Sequence, residues 1–291
     1  MGVVPFVDQL GIADEDSVAI DDRRRSAETP SQPAPELTVA VVRLPRISNH
    51  DEVQPLEYEP GVRLRFVDTA DEVAAADLVI VPGSKSTVAD LAWVRERGLA
   101  DAIAARAGQG ALVLGICGGC QMLGETIEDP NGVESTEVLT AGLGLLPLRT
   151  RFRPEKTVAQ VKATVGAPCF LTAGLTRGTV LTGYEIHAGV IEQAASAVTP
   201  FRLRERNRVG VDLPDGAVAA GGAVVGTLIH GLLENDRVRA ALLGTLRARR
   251  GVGAPAVASP PFSKDAAYDR LADVVGAHLD TSLLRRIAGI G

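Results

Sequence analysis

One segment of the chain has the residue types of a nucleophilic hydrolase. Cys117 follows the apolar run Ala111–Leu114 and lies within GICGGCQ, which leads into a helical segment. This is the thiol counterpart of the G-x-S-x-G nucleophile elbow, in which glycines allow a tight turn that lifts the nucleophile above a sheet. The following helix N-terminus favours a thiolate. We therefore predict that Cys117 is a nucleophile and that the N–H of Gly118 faces an oxyanion.

A cysteine nucleophile needs a general base, and the chain has four histidines. His230 and His187 each follow a predicted strand, at the carboxyl edge where open α/β sheets place their sites. Either could serve as the base, with a surface or capping role as the alternative. His50 lies in a polar loop and His278 in a C-terminal helical segment, and neither is expected to take part.

A second loop, PGSKST at 82–87, also follows a predicted strand. It lacks the spacing of a phosphate-binding loop. We expect the N–H of Gly83 to supply a second oxyanion donor, and Ser86 or Thr87 to cap the next helix. The alternative is a loop that only connects a strand to a helix.

Cys117 and Cys120 also form a C-x-x-C pair, which leaves a redox dithiol as an alternative function. No metal site is predicted, because the chain has no second pair of closely spaced cysteines or histidines to complete a ligand set. Under the nucleophile interpretation Cys120 packs in the core. Three cysteines, an odd number, argue against a disulfide framework and favour a reduced, cytoplasmic protein.

The elements around these loops alternate between strands and helices. Apolar runs at 38–42, 62–67, 77–81 and 111–114 predict buried strands, and 87–107 has apolar residues at the spacing of one or two helices. This alternation predicts an α/β fold with a parallel sheet covered by helices on both faces. The later predicted elements are strands at 158–165, 180–186 and 223–229, a helix from Glu234 to Arg250, and a C-terminal helix or helix pair from Asp265 to Ala288.

The ends of the chain differ from this core. Val3–Val7 has the pattern of a short buried strand, and the stretches 26–36 and 251–261 are rich in the Ser, Pro, Ala and Gly typical of linkers. The predicted parts are an N-terminal segment and linker at 1–35, a main domain at 36–250, and a linker with helices at 251–291.

Composition excludes two classes of partner. A net charge of -6 and an aromatic content of 3% argue against binding to nucleic acid through a basic surface or a stacking platform. No apolar run approaches the roughly 20 residues that span a bilayer. We therefore expect neither a nucleic acid nor a membrane as a partner.

Four ordered motifs, PGSKST, GICGGCQMLG, GYEIHAG and GTLIHGLLEN, resemble those of the class I glutamine amidotransferase domain in the cobyric acid synthase family of the cobalamin pathway. The resemblance covers most of the chain. It implies a flavodoxin-like sheet, parallel or mixed, with helices on both faces and further helices at the C-terminus.

By this resemblance, Cys117 attacks the side-chain amide of glutamine, and His230 helps to activate the thiol and then protonates the leaving ammonia. A γ-glutamyl thioester forms, and water releases glutamate. The N–H groups of Gly83 and Gly118 stabilise the oxyanion, at about 2.7–4 kcal/mol per donor. The residues implied at the glutamine pocket or at a domain interface are Gln121, Tyr184, Glu185 and His187.

Two departures from the family are visible in the sequence. Many class I amidotransferases have a Glu two residues after the His, but position 232 here is Leu. The cobalamin-pathway subgroup generally lacks that Glu as well, so the resemblance implies a Cys–His dyad. Glu185 is an alternative residue that could orient His230, but its segment is expected to line the glutamine pocket or the domain interface instead. The chain also lacks the P-loop of the family's N-terminal synthetase domain, of which residues 1–35 would be a remnant and a linker. This absence predicts a fragment or a synthetase half on a separate chain. No cofactor is expected in this chain, and ATP and Mg²⁺ would serve the missing domain.

The resemblance implies amidation of the b, d, e and g carboxylates of adenosylcobyrinic acid a,c-diamide to give cobyric acid. The implied partners are glutamine, a corrinoid acceptor reached through the synthetase domain, and a synthetase chain or a second copy of this chain. Three alternatives remain: a different acceptor, as in cobyrinic acid diamide synthases, a C-x-x-C redox protein, and a non-catalytic binding module.

Overall fold

The computed structural model describes residues 2–7, 12, 36–194, 197–253 and 263–290. The chain forms two compact units. One is drawn from residues 1–16 and 261–291, and the other, larger unit from residues 17–260. Both predicted linkers lie almost wholly outside the described residues.

The larger unit contains the following elements within its described residues. Its strands are β1 (Leu37–Val42), β2 (Ile47–Ser48), β3 (Val62–Val67), β4 (Leu78–Val81), β5 (Gly83–Ser84), β6 (Leu112–Ile116), β7 (Thr126–Glu128), β8 (Leu139–Ala141), β9 (Leu148–Val165), β10 (Val180–Gln193), β11 (Phe201–Arg206), β12 (Val209–Asp215), β13 (Ala217–Ala219) and β14 (Val224–Thr227). Its α-helices are α1 (Ala70–Ala74), α2 (Thr87–Glu96), α3 (Leu99–Gly108), α4 (Gly118–Leu123) and α5 (Asp236–Arg250). Its 3₁₀ turns are His50–Leu56, Ala220–Gly222 and Leu232–Glu234.

The first sheet is mainly parallel, with the spatial order β13-β14-β6-β4-β1-β3. Its five parallel strands, taken in chain order, have the 2-1-3-4-5 arrangement of flavodoxin-like folds, and β13 adds an antiparallel edge. All side chains of β4 and β6 are buried, as expected of strands covered on both faces. Each buried Val, Leu or Ile stabilises the fold by about 1.5–3 kcal/mol. The predicted α/β fold is confirmed.

The second sheet has the order β12-β11-β9-β7-β8, and β10 pairs antiparallel with β9. β9 begins at Leu148, ten residues before the predicted strand start. Its first half alternates buried apolar or hydroxyl side chains with exposed arginines, a period-two pattern that marks a strand with one solvated face. β10 likewise continues past 186 to Gln193, through a register shift between His187 and Gly189.

The predicted helices are present, and they differ from the predictions in one boundary and one cap. The segment 87–107 forms two helices, because Gly98 adopts the left-handed φ of 69° between them. α5 begins at Asp236 rather than at Glu234, which belongs to the preceding 3₁₀ turn. Ser86 is the N-cap of α2, but its side chain makes no capping hydrogen bond. The N–H of Thr87 instead donates to Oε2 of Glu134 at 2.8 Å.

The smaller unit contains the helix pair α6 (Lys264–His278) and α7 (Thr281–Ala288). The side chains of Ser263 and Asp280 cap these helices by accepting from Ala266 N and Leu283 N. Residues 2–7 form no strand, and Val3 and Phe6 are largely exposed, so the prediction of a buried strand there is wrong. No helix in the described parts of either unit is long and apolar enough to cross a bilayer.

Candidate active site

Cys117 lies at the sharp turn that joins β6 to α4. Its φ of 51° and ψ of -110° are strained for a residue with a Cβ atom, which is the backbone geometry of a nucleophile elbow. The side chain is almost wholly buried, and the thiol is placed to donate to the carbonyl of Ile186, with Sγ 3.6 Å from that oxygen. The elbow therefore presents the sulfur toward β10 rather than into the core of the parallel sheet.

His230 follows the end of β14 and is fully buried. Its backbone forms a two-way bridge with Tyr184 of β10: His230 N donates to Tyr184 O at 2.8 Å, and Tyr184 N donates to His230 O at 3.2 Å. The phenol ring stacks on the imidazole, with ring centres 5.1 Å apart and planes inclined by 13°. Tyr184 of the second sheet thus restricts the orientation of the imidazole plane.

Glu52 fixes the edge of the same imidazole. It lies on the 3₁₀ turn His50–Leu56, and its Oε2 is 3.1 Å from Nδ1 of His230. The glutamate side chain is buried. The other ring nitrogen, Nε2, is also buried and has no hydrogen-bond partner among the described residues. The sequence gives no sign of this pair, because its members are separated by 178 positions.

The charges around His230 favour its protonated form. Burial alone would lower the pKa of His230, but interaction with the side chains of Cys117 and Glu52 outweighs burial and raises the pKa to about 10. Burial raises the pKa of Glu52, and His230 and the amide of Gly231 oppose that rise. The protonated form of His230 is therefore favoured in the resting site, beside Cys117.

Gly83 and Gly118 lie beside these side chains, where there is no room for a larger residue. A Cβ on Gly83 would lie 2.7 Å from Oγ of Ser48 and 3.4 Å from Cε1 of His230. A Cβ on Gly118 would lie 2.9 Å from the backbone N of Ser84. The two predicted oxyanion-donor glycines are thus brought to the same place as the predicted base.

Asp90 of α2 holds the loop that contains Gly83. This carboxylate is fully buried and accepts a hydrogen bond from Oγ of Ser84 at 2.7 Å. It also accepts from the backbone N of Arg46 at 3.2 Å and pairs with the guanidinium of Arg46 at 3.1 Å. One buried carboxylate therefore joins the β2 and β5 segments that pair beside the site.

Gln121 is buried on α4 rather than exposed on its surface. Its Oε1 accepts from Oγ1 of Thr87 at 3.2 Å, and the N–H of Thr87 donates to Glu134. Glu134 is presented by a loop in which the Asp129 carboxylate accepts three backbone N–H groups, at 2.7–2.8 Å. Burial raises the pKa of Glu134, and its bonds to Thr87 oppose that rise. Sequence reasoning missed Glu134.

Tyr184, Glu185 and His187 do not share one environment. Side chains alternate between the faces of a strand, so Tyr184 contacts His230 whereas Glu185 and His187 lie on the other face of β10. Glu185 binds Arg206 through both oxygens, at 2.6 and 2.9 Å, and its Oε1 lies 3.3 Å from Nε2 of His187. Glu185 is therefore not the carboxylate on His230, and a role in glutamine binding for Glu185 and His187 stays a prediction.

Cys120 and Cys169 are free and buried. Burial raises the pKa of the Cys120 thiol well above its usual range, which disfavours a reactive thiolate at that position. The position of Cys120 in the core agrees with the nucleophile interpretation of Cys117. Within the described residues, no group of three or more His, Cys, Asp or Glu side chains is arranged to hold a metal ion.

The sequence matches one family model over the larger unit. Residues 38–238 match the model of the CobB/CobQ-like glutamine amidotransferase domain. The chain is 54% identical over 301 aligned residues to cobyric acid synthase from Sorangium cellulosum, and the alignment covers 100% of this chain and 57% of that protein. It is 41% identical to cobyric acid synthase from Syntrophobacter fumaroxidans, over 99% of this chain and 56% of that protein. The chain thus spans little more than half the length of these relatives.

Solved structures agree on the fold. The chain resembles PurLQS from Thermotoga maritima with a TM-score of 0.57 at 20% identity, over 74% of this chain and 100% of that one. It resembles a glutamine amidotransferase with a TM-score of 0.51 at 21% identity, over 74% of this chain and 99% of that one.

Proposed function

Because the chain belongs to the CobB/CobQ-like glutamine amidotransferase family, we propose that its site hydrolyses glutamine through Cys117 and His230 and supplies the ammonia for an amidation. The observation that carries this proposal is a strained, buried cysteine whose side chain interacts with that of His230. One ring nitrogen of His230 is held by Glu52, and the other has no hydrogen-bond partner among the described residues. This is the arrangement that a nucleophile and its acid–base partner need.

The first half of the reaction forms a thioester. The Cys117 thiolate attacks the δ-carbon of glutamine, and the carbonyl oxygen becomes an oxyanion facing the N–H groups of Gly83 and Gly118. The carbon–nitrogen bond breaks as Nε2–H of the His230 imidazolium gives its proton to the leaving nitrogen. Ammonia leaves, and a γ-glutamyl thioester and a neutral imidazole remain.

The second half restores the enzyme. Nε2 of neutral His230 takes a proton from water, and the resulting hydroxide attacks the thioester carbonyl. The same glycine N–H groups face the second oxyanion. Glutamate leaves, the Cys117 thiolate is regenerated, and His230 is again an imidazolium. One water molecule is consumed for each ammonia released.

The acceptor belongs to the longer protein. The cobyric acid synthase relatives support a corrinoid acceptor, namely the b, d, e and g carboxylates of adenosylcobyrinic acid a,c-diamide. ATP and Mg²⁺ would activate these carboxylates in the part of the relatives that this chain does not span, and the ammonia would pass to it. The alternative acceptor is that of a cobyrinic acid diamide synthase-like enzyme.

Two cysteine variants test the hydrolysis. Cys117→Ala should lower glutamate release from glutamine by at least about 10³-fold, because the nucleophile is removed. Cys120→Ser should retain the activity, since Cys120 is a core residue. Equal loss in both variants, together with a reversible Cys117–Cys120 disulfide, would favour the redox alternative.

Activity should be measured with the chain alone and with the amino-terminal portion of the Sorangium cellulosum relative added. That comparison also tests the acceptor. With ATP and Mg²⁺ present, ¹⁵N from the glutamine amide should enter adenosylcobyrinic acid a,c-diamide. Transfer only to cobyrinic acid that carries no amide groups would favour the alternative acceptor. Absence of glutamate release in both mixtures would favour a non-catalytic binding module.

A further inference from the structure

The 3₁₀ turn His50–Leu56 and the residue before it contact both the edge and the stacked face of one imidazole. Glu52 meets Nδ1 of His230 at 3.1 Å. Asn49, the N-cap of the turn, donates from Nδ2 to the hydroxyl of Tyr184 at 2.6 Å, and Tyr184 stacks on His230. The N–H of Glu52 donates to the carbonyl of Asn49 at 3.0 Å, so the two contacts share one rigid segment.

We propose that Glu52 is the positioning residue of His230, which holds Nδ1 so that Nε2 alone faces Cys117 and the reacting amide. The proposal deepens the function proposed above and rests on it. In this chain a carboxylate 178 positions before the histidine takes the place of the Glu that many class I amidotransferases have two residues after it, where Leu232 stands. The site therefore has three members rather than the expected dyad.

The surroundings of Glu52 give this carboxylate one basic partner. Among the described residues its Oε1 has no hydrogen-bond partner, while Oε2 is committed to His230. A buried carboxylate without a nearby cation is costly, so its ionised form depends on the imidazolium. Glu185, a buried carboxylate on β10, is paired with Arg206 instead. The geometry thus couples Glu52 to His230 and leaves Glu185 out of that coupling.

The titratable groups around His230 determine what loss of Glu52 should do. Glu52 from the 3₁₀ turn and Cys117 from the elbow both favour the imidazolium, Tyr184 from β10 stacks on it, and Asp51 acts on Glu52. Glu52→Gln keeps the shape but removes the charge. The imidazolium then loses its proton at a lower pH, and the Nδ1 partner no longer selects one tautomer. Proton donation to the leaving ammonia should therefore fail at a lower pH than in the wild type.

The experiment compares the unsubstituted chain with the variants Glu52→Gln and Glu52→Asp and with the matched control Glu59→Gln. Glu59 is another buried glutamate of the larger unit, and it pairs with Arg239 at 3.0 Å. We expect Glu52→Gln to lower kcat for glutamine hydrolysis by about 10²-fold with little change in KM, and to move the alkaline limb of the pH profile to lower pH. Glu52→Asp should recover part of kcat, and Glu59→Gln should leave the pH profile unchanged.

A second readout does not depend on turnover. The ring protons of His230, assigned by comparison with His230→Gln, are titrated by NMR in the free chain. The midpoint should fall by at least about one pH unit in Glu52→Gln and should stay unchanged in Glu59→Gln. An unchanged midpoint in Glu52→Gln overturns the proposal, as does a kcat loss that Glu59→Gln reproduces with the same profile. If Cys117→Ala retains activity, the proposed function fails instead, and the NMR midpoint still tests the pair.

Discussion

The described residues of the larger unit contain two histidine–carboxylate pairs, which differ in how many ring nitrogens are occupied. In the pair of Glu185 and His187, Nε2 lies 3.3 Å from the glutamate and Nδ1 lies 2.8 Å from the carbonyl of Gly189. In the pair of Glu52 and His230, only Nδ1 has a partner among the described residues. We call the pair of Glu185 and His187, in which both ring nitrogens have partners, the closed pair. We call the pair of Glu52 and His230, in which Nε2 has none among the described residues, the open pair.

The difference shows why proximity in sequence is a poor guide to this site. Glu185 and His187 lie two residues apart within a motif that resembles a family signature, yet both ring nitrogens of His187 are engaged and Arg206 neutralises the glutamate. A histidine with no unoccupied nitrogen cannot exchange a proton with a substrate until a bond breaks. The open pair joins two loops that only the fold brings together.

Exchanging each histidine for glutamine should give the largest contrast between the pairs. We expect His230→Gln to lower kcat for glutamine hydrolysis by about 10²–10⁴-fold, because the acid–base group is lost. His187→Gln should lower kcat far less, since an amide can still donate to Glu185. Glutamate release at saturating glutamine measures both. Equal losses in the two variants would contradict the distinction between the open and the closed pair.

Neutralising the closed pair should affect stability more than chemistry. Glu185→Gln removes the charge that Arg206 binds through two hydrogen bonds, and it weakens the contact with His187. We expect the free energy of unfolding to fall by about 3 kcal/mol. Urea denaturation at pH 7 measures the loss. A variant as stable as the wild type would show that Arg206 is solvated equally well without its partner.

Asp215 gives the smallest effect and links the two pairs. It accepts from Oγ1 of Thr227 at 2.5 Å and from Leu228 N at 3.0 Å, just before His230, and its pKa responds to the charges of Glu185 and His187. Burial raises the pKa of Asp215 to about 6, above its value in the unfolded chain, so the folded state binds the extra proton.

This contribution to stability is present at acidic pH and is lost as the pH rises through about 6. The loss of this contribution between pH 4 and pH 6 should lower the free energy of unfolding by about 2 kcal/mol. The measurement is the difference between the wild type and Asp215→Asn in urea denaturation across that range. A difference that stays constant with pH would mean that Asp215 titrates normally in the folded protein.

Local patterns predicted the residues that owe their position to adjacent elements. Cys117 and Gln121 were found from the sequence pattern of a strand, a glycine-flanked turn and a helix. His230 was found from its position after the strand that forms β14. Glu52 and Glu134 do not, because one lies on a 3₁₀ turn and the other on a loop, and neither segment has a periodic pattern. Their roles depend on contacts 178 and 47 positions away in the sequence.

The fold shows the same division. The parallel strands β1, β4 and β6 are largely apolar runs, so residue type marks them, and β3 is marked by the alternation of apolar residues with arginines. The first half of β9 has the same alternation with arginines as β3, but it was not predicted because Pro154 and the charged residues beside it at 153–156 are uncommon inside strands. The strand predicted at Val3–Val7 is absent for a different reason. An apolar run forms a strand only where a partner strand supplies hydrogen bonds.

The bridge between Tyr184 and His230 has a consequence for the order of folding. The turn at Cys117 joins a strand of the parallel sheet to the helix that follows it, whereas the proposed base His230 is held by the 3₁₀ turn His50–Leu56 and by β10 of the second sheet. Contacts that close such long loops carry the greatest entropic cost and tend to form late. A chain that has collapsed around its central strands but has not docked β10 would contain a cysteine at its elbow with no imidazole in place. Glutamine hydrolysis is therefore expected only from the fully assembled unit.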